Sequence, residues 1–212
     1  MFIRATHLHT PPDKVDQTIE NFQKQVIPSA RSTPGFFGAV LLADRKTGTG
    51  IGITYWETAK ALSASEEGGI RTRTQAANNV PGTQIVNVER YEMVILDRSQ
   101  PPKPGEFVHV NTFNGNPDDI DAAAAFVRNN VMPVLKSLKG YRAIAMGVDR
   151  QTGRSTLSTM WDTLADLEAS DRNVSDLRNK AAQTAGADDV QVEIFEAPIF
   201  DFTLAAAAPN GS

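Results

Sequence analysis

The sequence predicts an α+β fold in which one chain carries two copies of a β-α-β-β-α-β unit. Three observations carry this prediction. The chain resembles itself at a constant offset, the periodicity of its apolar residues runs through the same order of strands and helices twice, and a proline-rich joint separates the two halves. Self-similarity at a fixed spacing is the mark of a repeated structural unit.

The offset is 105 residues, and it pairs Trp56 with Trp161, Phe2 with Phe107, and Pro12-Asp13 with Pro117-Asp118. It also pairs Val26-x-Pro28 with Val131-x-Pro133, Gly35 with Gly140, and Asp44-Arg45-x-Thr47-Gly48 with Asp149-Arg150-x-Thr152-Gly153. Near Ala77 and Ala182 one residue is lost, and Val86-x-Val88-Glu89 then meets Val190-x-Val192-Glu193 at an offset of 104. The expected organisation is a first repeat over 1–98, a linker over 99–105, a second repeat over 106–202 and a flexible tail over 203–212. Three prolines and a glycine between Asp97 and Gly105 make the joint stiff and extended.

Each element follows from local pattern. Residues 2–9 and 107–113 alternate β-branched or aromatic residues with polar ones and read as first strands. Pro-Pro-Asp at 11–13 and Asn-Pro-Asp at 116–118 open helices, where proline is tolerated in the first turn. Val15, Ile19, Phe22 and Val26 keep helical spacing, as do Ile120, Ala124, Val127, Val131 and Leu135. Pro28 and Pro133 should kink or end these helices. Phe36 to Ala43 and Tyr141 to Val148 read as second strands, and Asp-Arg-x-Thr-Gly as a hairpin turn with glycine at positive φ. Third strands end at Trp56 and Trp161. Helical segments follow at 58–67 with 70–78, and at 163–185. Fourth strands lie around 84–96 and 189–200. This order is the ferredoxin-like arrangement, an antiparallel sheet with both helices on one face. The bare face must pack on something, and the second copy is the partner within the chain.

Composition excludes several function classes. The chain has no cysteine, which removes thiol catalysis, cysteine-ligated metals and disulfides. A net charge of −4 with 21 scattered basic residues argues against nucleic acid or an anionic membrane as main partner. No apolar run approaches a membrane span, and no leader is recognisable at Met1, so the expected location is cytoplasmic. No nucleophile elbow, phosphate loop or dinucleotide fingerprint is present. His7-x-His9 would point to one face of a strand, but two ligands are too few for a metal, and no metal is expected.

With these elements in place, the chain resembles the dimeric α/β-barrel superfamily, specifically domains of the antibiotic-biosynthesis-monooxygenase type. The resemblance rests on the element order, the Pro-Gly-Phe-Phe-Gly and Lys-Gly-Tyr-Arg entries to the second strands, the Asp-Arg-x-Thr-Gly hairpins, and the Thr-Tyr-Trp-Glu-Thr and Thr-Met-Trp-Asp-Thr strand ends. Members usually pair two chains. The resemblance therefore implies two repeats packed sheet to sheet as a single-chain dimeric α/β barrel, an intramolecular pseudo-dimer that leaves further homo-oligomerisation open.

The resemblance also implies activities. The haem-degrading branch has a functional asparagine where this chain has Asn111, but it needs a tryptophan and a histidine on the second helical segment, and neither segment contains one. Haem degradation is disfavoured. Polyketide oxygenases of the superfamily position a phenol with tryptophan and asparagine. Four residues before each tryptophan, where that asparagine is sought, stand Gly52 and Leu157. The expected activity is a cofactor-independent monooxygenase acting on a hydrophobic aromatic or quinol-like small molecule. His109 is the candidate base, since one imidazole can move a proton near neutrality. Asn111, on the same strand face, is the candidate oxyanion donor. Trp161, Trp56 and Tyr141 are candidates for substrate contact, with core packing as the other role open to all three. The alternative reading is a non-catalytic protein that holds a small apolar ligand or fills the space.

Overall fold

The computed structural model describes residues 1–202; the tail expected over 203–212 lies outside the described residues. The first half runs β1 (Phe2–His9), α1 (Val15–Asn21), α2 (Ile27–Arg31), β2 (Phe36–Ala43), β3 (Thr49–Trp56), α3 (Ala59–Ala64), α4 (Glu66–Asn78) and β4 (Gln84–Arg98). The second half repeats it: β5 (Glu106–Asn114), α5 (Ile120–Phe126), α6 (Met132–Ser137), β6 (Tyr141–Val148), β7 (Arg154–Trp161), α7 (Leu164–Thr184) and β8 (Val190–Phe202).

Pro28 and Pro133 do not end their helices, which continue to Arg31 and Ser137. A turn of π-helix precedes each, at Phe22–Val26 and Val127–Val131. In these turns the Ile27 N–H donates to the Phe22 carbonyl, and the Met132 N–H to that of Val127. A proline has no N–H and its ring crowds the carbonyl four residues back, so the widened turn absorbs the misfit. The hairpins take the expected form. The Gly48 N–H donates to the Asp44 carbonyl at 2.9 Å, and Gly48 sits at φ +78°, where a Cβ would strike the Thr10 carbonyl. Thr58 and Thr163, two residues past each tryptophan, cap the next helices by accepting from the N–H groups of Ala61 and Asp166.

The eight strands close into one antiparallel barrel in the order β1-β3-β2-β8-β5-β7-β6-β4. Each repeat supplies the four-stranded order 4-1-3-2, and the seams are β2 with β8 and β4 with β6. β4 and β8 are long because each serves both halves. Ile95 near the end of β4 packs into the core under the second repeat's helices, and Ile199 of β8 packs into that of the first. Alternation along the strands gives two environments. Ile3, Ala5, Val40, Leu42, Tyr55, Val108, Val110 and Phe195 fill the barrel lumen. Arg4 and Thr6 of β1, and their counterparts His109 and Asn111 of β5, point to the helices instead.

Candidate active site

The two repeats share a scaffold but differ beneath their helices. In the first repeat a cavity of about 300 Å³ lies between the sheet and the helices. Its floor is β1 and β3, with Arg4, Thr6, Gly52, Thr54 and Trp56, and its far wall comes from α4 with Gly69, Thr72 and Arg73. Phe22 and Val26 of the π turn form a side wall, so the proline-induced widening carries two apolar residues to the cavity. Exposed Arg71 and Ile85 stand at its rim. The volume falls at the lower end of small-ligand pockets, and the mixture of apolar walls with a few polar groups suits one.

Side-chain size accounts for the difference. Gly52, Gly69, Thr72, Asn21, Ser29 and Ala30 line the first-repeat cavity. At the 105-residue offset the second repeat has Leu157, Val174, Leu177, Phe126, Val134 and Leu135, all in or against its core. A β-carbon at Gly52 would lie 2.9 Å from the Phe22 ring, and the second repeat places the smaller Val127 opposite Leu157.

The polar end of the cavity is cationic. Arg4 is only 3% exposed, and one of its terminal nitrogens donates to the Leu62 carbonyl, Ser65 Oγ and Glu66 Oε2, each at 2.9 Å. Glu66 also accepts from Arg73 at 3.1 Å and from Arg90 at 2.7 Å. Burial alone would raise the Glu66 carboxyl, but the hydrogen bonds from Arg90 and Arg73 and the charges of Arg4 and Arg90 outweigh it and hold its pKa at about 2. One ionised carboxylate is thus shared by three arginines. The Arg4 guanidinium carbon stands 5.7 Å from the centre of the Trp56 ring, a cation–π contact. The Trp56 indole N–H is already donated to Thr54 at 3.1 Å, so this residue offers the cavity a flat face rather than a donor.

The residues singled out in the sequence divide between two places. Both tryptophans are buried, at 1% and 0% exposure, but Trp56 also borders the cavity, whereas Trp161 lies in the second repeat's core. Tyr141 packs edge-on against Trp161 at 5.8 Å, and its hydroxyl is buried without a hydrogen-bond partner. His109 and Asn111 are buried beneath α7, in the filled repeat. The His109 Nδ1 lies 3.7 Å from Asp171, which is also paired with Arg178, while its Nε2 has no partner. Burial lowers the imidazole pKa despite Asp171, and Arg178 lowers it further. Asn111 donates to the Leu157 carbonyl at 3.1 Å. These four residues are packed together around the second sheet, and none lines the first-repeat cavity.

Sequence reasoning passed over Arg4, Thr6, Glu66 and Arg73. Apart from Trp56, the residues it singled out by chemical type lie in the second repeat. Comparing side-chain volumes across the 105-residue offset would have shown which repeat is hollow.

A second polar cluster lies at the barrel lumen, beside a small void of about 70 Å³. Glu89 accepts from the Tyr91 hydroxyl, pairs with His7 Nε2, each at 2.8 Å, and meets Arg154 at 2.6 Å. His7 is therefore tied to a carboxylate, while His9 at the strand end is exposed.

Residues 1–92, the repeat with the cavity, match the antibiotic biosynthesis monooxygenase domain. The chain belongs to that family. Its fold is similar to the crystal structure of an anthrone oxidase-like protein, with a TM-score of 0.71 at 14% identity, covering 94% of this chain and 92% of that one. In sequence it is 30% identical over 202 residues to the uncharacterized protein Rv2558 of Mycobacterium tuberculosis, covering 94% of this chain and 84% of the relative. It is 26% identical over 196 residues to the uncharacterized protein Rv2557 of the same organism, covering 92% and 87%. Among the described residues of this family member, no helix is long and apolar enough to cross a membrane.

Proposed function

We propose that the chain is a cofactor-independent monooxygenase acting on a hydrophobic, aromatic or quinol-like small molecule bound in the first-repeat cavity. The observation that carries this reading is the cavity itself, with Trp56 and Phe22 as aromatic walls and the Arg4 cation at its polar end. The anthrone oxidase-like neighbour suggests the reaction class. An anthrone-type CH₂ loses a proton to solvent, and the resulting carbanion, delocalised onto oxygen, adds O₂ and takes a proton back from solvent to form a hydroperoxide. Loss of water then leaves a ketone. One oxygen atom enters the product, the other leaves as water, and the substrate supplies all four electrons, so no further reductant is needed.

The protein's contribution is electrostatic. A cation held ready in a dry site stabilises the substrate anion and raises the acidity of its parent. In this reading Arg4, the counterpart of His109, stabilises the substrate anion with Thr6, the counterpart of Asn111, beside it, and neither takes the base role expected for His109. Anthrone is the probe, with oxygen uptake and anthraquinone formation measured together at one-to-one stoichiometry. A Gly52→Leu, Phe22→Val double change copies the second repeat and should cut turnover at least tenfold while the protein stays folded. A His109→Ala, Asn111→Ala double change should leave most of it. Turnover that survives filling of the cavity would sink the site.

A second reading, a ligand-binding protein without catalysis, is favoured by one observation. No histidine, tyrosine, aspartate or glutamate is among the residues lining the cavity, so no side chain there could act as a base. Stoichiometric binding of anthrone with no oxygen uptake would select it.

A further inference from the structure

Arg4 and Arg73 approach each other at Gly69. A β-carbon on Gly69 would lie 3.0 Å from one terminal nitrogen of Arg4 and 2.9 Å from one of Arg73. Two guanidinium groups therefore face the same small space, which exists because residue 69 has no side chain. The second repeat closes the equivalent space with Val174. That Arg73 nitrogen, Nη1, and Arg4 Nε are buried with no hydrogen-bond partner. The Arg4 and Arg73 side chains are only 3% and 12% exposed. Buried cationic donors normally have acceptors, and leaving one without is costly.

The charges are also out of balance. Arg4, Arg73 and Arg90 meet the single carboxylate of Glu66. Arg71, at the rim, is already paired with Glu67. The cluster thus carries two positive charges in excess, at the end of a cavity whose other walls combine Trp56, Phe22 and Val26 with uncharged polar residues such as Asn21 and Ser29.

We infer that the cavity takes an aromatic acid, with its carboxylate bridging Arg4 and Arg73 at Gly69 and its ring lying towards Trp56 and Phe22. The inference rests on the reading that the first-repeat cavity is the ligand site. It deepens the proposed chemistry, because one excess charge is matched by the fixed carboxylate and the other remains for the anion formed when the ring system loses its proton. Guanidinium groups suit this task, since they bind carboxylates in a planar, charge-assisted geometry.

The test is calorimetric titration of the intact protein at neutral pH with 2-naphthoate and with 2-naphthamide, which matches it in shape but carries no charge. Naphthoate should bind at least about tenfold tighter, in keeping with one charge-assisted contact. Arg73→Met should reduce that preference to about threefold or less while naphthamide binding is kept. Glu66→Gln should increase it, because it removes the only competing anion; a merely structural Glu66 would give a loss instead. Equal affinities, no binding of naphthoate, or a preference untouched by Arg73→Met would overturn the inference. The titration involves no oxygen chemistry. A clear anion preference in a protein inert towards anthrone sinks the oxygenase reading alone, and anthrone turnover without an anion preference sinks this inference alone.

Discussion

Single side chains at equivalent positions have different surroundings in this molecule. Trp56 and Trp161 end equivalent strands, β3 and β7, and both donate their indole N–H to the threonine two residues back. One borders a cavity and the other is sealed in the core, so the shared geometry belongs to the scaffold and only the surroundings bear on function. Glu89 allows a pH prediction. Its side chain is 11% exposed. Burial would raise its pKa, but His7, Tyr91 and Arg154 outweigh burial and hold it at about 2, against an ordinary value of 4.5. A carboxylate whose pKa is lower in the folded chain stabilises the fold above its unfolded pKa, and that stability is lost as pH falls through the folded value. Urea midpoints should therefore fall steeply between about pH 4.5 and pH 2. Glu89→Gln should lower the midpoint at pH 7 and flatten the decline over that window. Glu66, with its pKa at about 2, keeps some slope in the variant. Parallel curves for the two proteins would refute the assignment.

The helices over the two sheets contrast in the same way. No residue of α4 is fully buried, and Gly68 and Gly69 lie in its first turn. α7 buries Leu167, Ser170, Val174, Ala181 and Ala182. Each interior glycine costs a helix about 1 kcal/mol relative to alanine, and most helical stability in proteins comes from packing an apolar face. Amide exchange should thus be faster across Glu66–Asn78 than across Leu164–Thr184, and a ligand in the cavity should slow it in α4 selectively. Equal protection in the free protein would contradict this account. The strands and hairpins were legible in the sequence, because alternation and glycine at positive φ act locally. Phe36–Ala43, Tyr141–Val148 and the ends at Trp56 and Trp161 fall where expected. The cavity was not legible in the same way. It depends on six small or polar side chains drawn from several elements, none unusual by itself. The arginine cluster likewise joins β1, α4 and β4, segments whose approach only the closed sheet determines.

Closure of the barrel explains why the repeats are joined. A lone first repeat, in the order 4-1-3-2, would leave β2 and β4 as open edges, each a template for further pairing. It would also expose Ile3, Ala5, Val40, Leu42 and Tyr55, which the other half of the barrel now covers. Both seams carry the same clasp. Arg45 of the first hairpin reaches Glu196 at 3.0 Å across the β2–β8 seam, and Arg150 of the second reaches Glu92 at 2.8 Å across β4–β6. Exposed pairs of this kind contribute little energy, and burial of the lumen supplies the main drive. The clasp sets which edges meet. Two copies of residues 1–98 could rebuild both seams, since Arg45 of each copy would find Glu92 of the other. That segment produced alone should sediment at twice its monomer mass, with β-sheet retained. Dimer formation should weaken when Leu42→Glu places a charge in the lumen, where burial of an unpaired carboxylate is strongly disfavoured. A folded monomer would mean that the lumen face is stable in water without its partner, and that the joint between the repeats serves some purpose other than covering it.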